Sequence, residues 1–132
     1  MAAVDGPVTF SGGCHCGAVR FEVDVEGPIE LSLCNCSICQ KTAYVHLIVQ
    51  KQQFRLLSGS ESLTVYRFNT GVAEHSFCSV CGIKAFYVPR SDPGGYSVNA
   101  RCLDGGVPQA ARVRDFDGQN WERAAEDRGR VF

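Results

Sequence analysis

No stretch of the sequence approaches the roughly 18 consecutive apolar residues of a membrane-crossing helix. Its start, "MAAVDGPVTFSGG", lacks the basic segment and apolar run of a signal or transit peptide, so the expected compartment is the reducing cytoplasm. Excess charge of either sign is missing too. With 13 Lys and Arg against 14 Asp and Glu, the chain has no electrostatic footprint for gripping nucleic acid or an anionic membrane. Repeats, low-complexity tracts and long linkers are absent, and 132 residues suffice for one modest core, so one domain over 1–132 is expected.

What the sequence does carry is a pattern of period two. "AVRFEVDV" alternates Val19, Phe21, Val23 and Val25 with Arg20, Glu22 and Asp24, as a strand with one buried face requires. "SLTVYRFN" places Leu63, Val65 and, after a change of phase, Phe68 among β-branched and aromatic neighbours. "AYVHLIVQ", "KAFYVP" and "GGYSVNA" are apolar runs of strand length. Between them stand "GP", "SGS", "NTG", "SDPGG" and "LDGG", the chemistry of frequent reversals. Only "NWERAAEDR" reads as a helix, capped by Asn120 with Glu122 in its first turn, and a second short helical turn is expected at "SICQKT". The expected fold is mainly β, with eight to ten short strands in small packed sheets.

Eight cysteines in such a chain point to metal ligands or reactive thiols rather than disulfides. Seven fall in three clusters: Cys14 and Cys16 in "GGCHCGAV", Cys34, Cys36 and Cys39 in "LCNCSICQK", and Cys78 and Cys81 in "FCSVCGIKAFY". In C-x-x-C one tight turn directs both sulfurs to a tetrahedral ion, and Gly82 after Cys81 lets the backbone reverse. Cys14, Cys16, Cys78 and Cys81 together make a four-thiolate set, the composition of a structural zinc site. The remaining three have no obvious fourth partner, and three ligands with an exchangeable position is the arrangement of a catalytic zinc. Cys102 or His46 could close that second set, which would make it structural, and an iron–sulfur cluster is a further alternative. The expected cofactor is zinc, two ions per chain.

"SGGCHCGAVRFEV", "CNCSICQK" and "FCSVCGIKAFY", in that order and separation, resemble the glutathione-dependent formaldehyde-activating enzyme family. "NTGVAEHSFCSVCG", "YVPRSDPGGYSVNARCLDGG" and "FDGQNWE" are most similar to the branch that includes the globular domain of centromere protein V. The likeness runs from about Thr9 to Glu122, and Cys102 stands where many of the family's enzymes carry a small hydroxyl or aliphatic residue. The resemblance implies a β-tent fold of small antiparallel sheets, a structural zinc at Cys14, Cys16, Cys78 and Cys81, and a second zinc at Cys34, Cys36 and Cys39. At that second metal the thiol of glutathione enters, for a carbon–sulfur lyase or synthase that joins glutathione to formaldehyde as S-hydroxymethylglutathione. A zinc-stapled protein-interaction module of the same fold is the competing class.

Such a reaction needs a proton donor for the new hydroxyl, and Tyr44, His46 and His75 have the chemistry. The carboxylates of glutathione call for cations, for which Lys41, Lys84, Arg90 and Arg101 are the available sources, though each reads first as a solvated surface charge. Trp121 reads as a core residue that packs the last helix against the sheet.

Overall fold

A computed structural model describes residues 7–127. Ten strands and two short helices follow in order: β1 (Val8–Gly13), β2 (Arg20–Val25), β3 (Glu30–Cys34), α1 (Ser37–Thr42), β4 (Val45–Gln50), β5 (Phe54–Ser58), β6 (Leu63–Tyr66), β7 (His75–Cys78), β8 (Phe86–Tyr87), β9 (Gly95–Asn99), β10 (Arg112–Phe116) and α2 (Trp121–Asp127). The mainly β architecture expected from the alternating pattern is the one observed. Arg128, the last residue of the expected terminal helix, lies outside the described residues. Asn120, expected to cap that helix, sits instead in a 3-10 turn over Gly118–Asn120, where its Nδ2 donates to Asp117 Oδ2 at 3.0 Å.

Three small sheets form. β1, β2 and β5 make an antiparallel sheet, β6 and β7 a hairpin, and the five-stranded sheet runs β10-β3-β4-β9-β8. Phe21, Val23 and Val25 of β2 point into the core, while Glu22 and Asp24 face outward and pair with Arg55 of β5. Between the larger sheets, Phe54 stacks on Phe21 with ring centres 5.5 Å apart and on Tyr96 at 4.5 Å, and Phe86 closes on Phe54 at 4.7 Å. Such aromatic pairs add about 0.5–1.5 kcal/mol each beyond the area they bury.

β4 lies in the middle of its sheet, and Val45, Leu47 and Val49 on one face and His46 on the other are buried, as in a strand covered on both faces. The period-two reading does less well on β6. Val65 and Tyr66 are exposed there, because that hairpin presents one side to solvent without a covering layer.

One pairing positions the site. β10 runs parallel to β3, the single parallel pair among otherwise antiparallel described strands, with Phe116 beside Cys34. The chain leaving β10 therefore passes directly over the cysteines that follow β3. Asn35 fixes this approach: its Nδ2 donates to Asp117 Oδ1 at 3.0 Å and its Oδ1 accepts from the Gln119 amide at 3.0 Å.

Candidate functional site

The first cysteine set is assembled by two turns. The β1–β2 turn carries Cys14 and Cys16, with Gly17 at φ +84°, and the turn after β7 carries Cys81, with Gly82 at φ +80°. Positive φ is the conformation that glycine adopts without steric penalty, which is why the knuckle needs Gly82. A tetrahedral ion with bonds of about 2.3 Å holds its sulfurs about 3.8 Å apart. Cys14 and Cys16 Sγ are separated by 3.6 Å, Cys16 and Cys78 Sγ by 3.7 Å, and all four sulfurs lie within 4.8 Å of one another. The set therefore fits one ion enclosed by four sulfurs.

Backbone amides support these thiolates. The Val19 N–H donates to Cys14 Sγ at 3.2 Å. Burial pushes the Cys81 thiol up, but the amides of Cys16 and Ile83, together with hydrogen bonds from Cys78 and Cys14, bring the group down to about 6.

The second set forms where β3 meets α1. Cys34 ends the strand, Cys36 is the helix N-cap with φ −65° and ψ 164°, and Cys39 lies one turn on, facing inward. Its three sulfurs also lie within 4.8 Å of one another. Cys36 is held at about 2, far below an ordinary thiol, by hydrogen bonds from Cys34 and then Cys39, and Cys39 is pushed up in turn. Cys34 is raised as well, so one negative charge settles on Cys36. Either set could hold a metal ion; only the first offers four protein sulfurs.

Neither of the two alternatives for a fourth ligand joins the second set among the described residues. Cys102 Sγ lies 3.9 Å from the Lys84 carbonyl and packs, half-buried, against the main core, and burial raises it to about 11. His46, fully buried, places Nε2 3.2 Å from Cys39 Sγ without joining the group of mutually close ligand atoms. Burial, then the charge of Lys84, lowers its imidazole to about 3, so the ring is neutral and carries one hydrogen. Nε2 hydrogen-bonds with Cys39 Sγ, and Nδ1 with Ser97 Oγ at 2.8 Å. His46 thus orients a sulfur, as an outer-shell partner does.

The three sulfurs open onto a cleft of about 360 Å³. Phe68, His75, Tyr87, Arg90, Gly118 and Trp121 contribute to its walls. Arg90 stacks on the Trp121 ring at 4.0 Å while donating to Glu122 at 2.9 Å. Trp121 therefore serves the cleft as well as the packing around Phe116. Tyr44 is buried, its hydroxyl donating to the Ser97 carbonyl at 2.7 Å. Lys84, considered above as a surface charge, is also buried, whereas Lys41 and Arg101 are exposed and do not line the cleft.

Gly118 is the feature that the motifs gave no reason to single out. A Cβ built there collides with Cys34 Sγ and lies 2.8 Å from Cys36 Cβ. Sequence distance hid it, since only the β10–β3 pairing brings residue 118 to residue 34.

The model of the glutathione-dependent formaldehyde-activating enzyme family matches residues 9–118, which include all seven clustered cysteines and Gly118. A Halomonas elongata protein provisionally named a glutathione-dependent formaldehyde-activating enzyme is 37% identical over 108 residues, 76% of this chain and 69% of that protein. A crystal structure of a Rhodobacter sphaeroides protein superposes with a TM-score of 0.69 at 35% identity, over 79% of this chain and 99% of its own. The chain belongs to the glutathione-dependent formaldehyde-activating enzyme family.

Proposed function

We propose that the protein is a zinc-dependent carbon–sulfur lyase or synthase that joins glutathione to formaldehyde, giving S-hydroxymethylglutathione. Cys14, Cys16, Cys78 and Cys81 hold a structural zinc in this reading, and Cys34, Cys36 and Cys39 hold the second. The observation that carries it is the difference between the two sets: four sulfurs in one, three sulfurs facing a cleft in the other. A cleft of about 360 Å³ falls within the roughly 300–1,000 Å³ typical of small-molecule sites. The family match supports the pair of substrates.

Zinc bound by three thiolates supplies a positive centre that keeps an incoming thiol ionised at neutral pH. The chain's own residues do the rest. The hydrogen bond from His46 Nε2 to Cys39 Sγ fixes that sulfur, and Gly118 leaves room beside Cys34. Arg90, steadied by Trp121 and Glu122, offers a cation on the cleft wall for a carboxylate of the thiol substrate. Within the cleft the substrate's sulfur bonds to the formaldehyde carbon, the carbon–oxygen π pair moves to oxygen, and that oxygen gains a proton. Proximity of the two reactants is the main gain.

Exchange spectroscopy of glutathione and formaldehyde, with and without the zinc-loaded protein, tests this reading. Exchange between free and hydroxymethylated glutathione should accelerate in proportion to protein concentration. Exchange at the uncatalysed rate, with two zinc ions bound, would refute the enzyme and leave the zinc-stapled interaction module.

A further inference from the structure

Beside the cleft a cation is buried against an imidazole. Lys84 is 8% exposed, and its Nζ lies 2.7 Å from His75 Nδ1, 3.9 Å from the centre of the Tyr87 ring and 5.1 Å from that of Tyr44. Among the described residues no carboxylate pairs with it. His75 is sandwiched: Phe68 stacks on one ring contact at 5.1 Å and 27°, Tyr87 on another at 4.8 Å and 14°. The imidazole is thus fixed in place and orientation by two aromatic rings and an ammonium.

Its tautomer follows from elementary chemistry. An ammonium has three hydrogens and no lone pair, so it can only donate, and Nδ1 must accept. A neutral ring then carries its hydrogen on Nε2. Burial, followed by the charge of Lys84, lowers His75 to about 4 and keeps the ring neutral at physiological pH. Burial also lowers Lys84, to about 8, against the opposing pull of Cys39, Cys36 and Cys34, so it stays charged. Nε2 has no protein partner among the described residues, and His75 belongs to the cleft wall. His46 and Tyr44, the other donors considered, do not line the cleft.

We propose that His75, held as the Nε2–H tautomer by Lys84, is the hydrogen-bond donor to the aldehyde oxygen in this cleft, with Lys84 as its positioning residue. The assignment rests on reading the cleft as the site where thiol meets aldehyde. As the carbon–sulfur bond forms and the π pair moves onto oxygen, Nε2–H stabilises the developing charge and passes its proton to that oxygen. One of the three protons of Lys84 replaces it at Nδ1, so the ring never becomes an anion. Water in the cleft then returns to Nε2 the proton released when the substrate thiol ionised, and Nδ1 hands its own back to Lys84. No oxidant or further reactant is needed.

Two measurements on the zinc-loaded full chain test the proposal. Nitrogen-15 imidazole spectra should show His75 as a single Nε2–H tautomer, and Lys84→Met should populate the Nδ1–H form as well. In exchange spectroscopy, His75→Phe should lower kcat by about 100-fold, the low end for general acid catalysis, and leave the KM for glutathione unchanged. His75→Gln, which retains an N–H donor, should recover part of that loss. A wild-type spectrum showing Nδ1–H would overturn the assignment whatever the activity. Folded, zinc-loaded His75→Phe with wild-type kcat would overturn it while leaving the enzyme reading intact. A wild-type protein that fails to accelerate exchange overturns both readings, and the spectrum then reports only the Lys84–His75 geometry.

Discussion

Gly118→Ala asks whether the three-cysteine set is a fitted metal site. The added methyl would collide with Cys34 Sγ and lie 2.8 Å from Cys36 Cβ and 3.1 Å from Cys36 N, where non-bonded carbons settle at about 3.5–4.0 Å. Gly118 is not among the glycines at positive φ, so the penalty is collision rather than backbone strain. The nearest atoms belong to two of the three ligands, one of them at the backbone that starts α1, so relief must move a sulfur. Without metal the sulfurs are free to give way, and the penalty falls on the metal-bound state. Overpacking of this kind costs about 1–3 kcal/mol. At about 1.4 kcal/mol per factor of ten, zinc at the second set should bind roughly five- to 150-fold more weakly. Titration with a chromophoric chelator that resolves two zinc ions is the assay. Wild-type protein should release zinc in two steps, and Gly118→Ala should move only the weaker one. Two unchanged affinities, or an equal fall in both, would refute the geometry.

Cys78→Ser and Cys81→Ser should unfold or aggregate the protein, read by circular dichroism, because metal binding at a four-sulfur set is folding energy. Cys36→Ser should keep the folded spectrum and lose thiol binding; equal unfolding by all three variants would remove the distinction between the sets. Ser97→Ala deletes the 2.8 Å hydrogen bond that orients His46 toward Cys39, and should weaken zinc at the second set about 10- to 100-fold in the same chelator titration. Arg90→Gln should raise the KM for glutathione while leaving kcat nearly unchanged; a KM unmoved by the change would take Arg90 out of substrate recognition.

Much of this was legible because it is local. C-x-x-C followed by glycine places two sulfurs on one turn wherever it occurs, and alternation in "RFEVDV" buries Phe21, Val23 and Val25 whichever sheet the strand joins. Exposure of Val65 and Tyr66 could not be read in the same way, since alternation says that a strand has two faces but not whether anything covers them. Lys84 shows the limit for charge. Nothing in "GIKAFY", which ends on Tyr87, shows that Tyr44 also approaches its ammonium or that His75 receives it. Cys102, and after it His46, could each be read as a fourth ligand beside Cys34, Cys36 and Cys39, because sequence alone does not give their neighbours.

The sequence by itself determined the donor inventory, seven clustered cysteines and their turns, and a period-two pattern of mainly β structure. Spacing within a cluster is set by a few backbone angles, so it survives any global arrangement. Which cluster met which surroundings was decided only by tertiary structure. The parallel pairing of β10 with β3 set Gly118 over Cys34 and Trp121 beside the cleft, and the β6–β7 hairpin brought His75 to the same wall. Those contacts join residues 40 to 80 positions apart or more, as in the pair 35 and 119 at a separation of 84, and only the folded chain determines such distances.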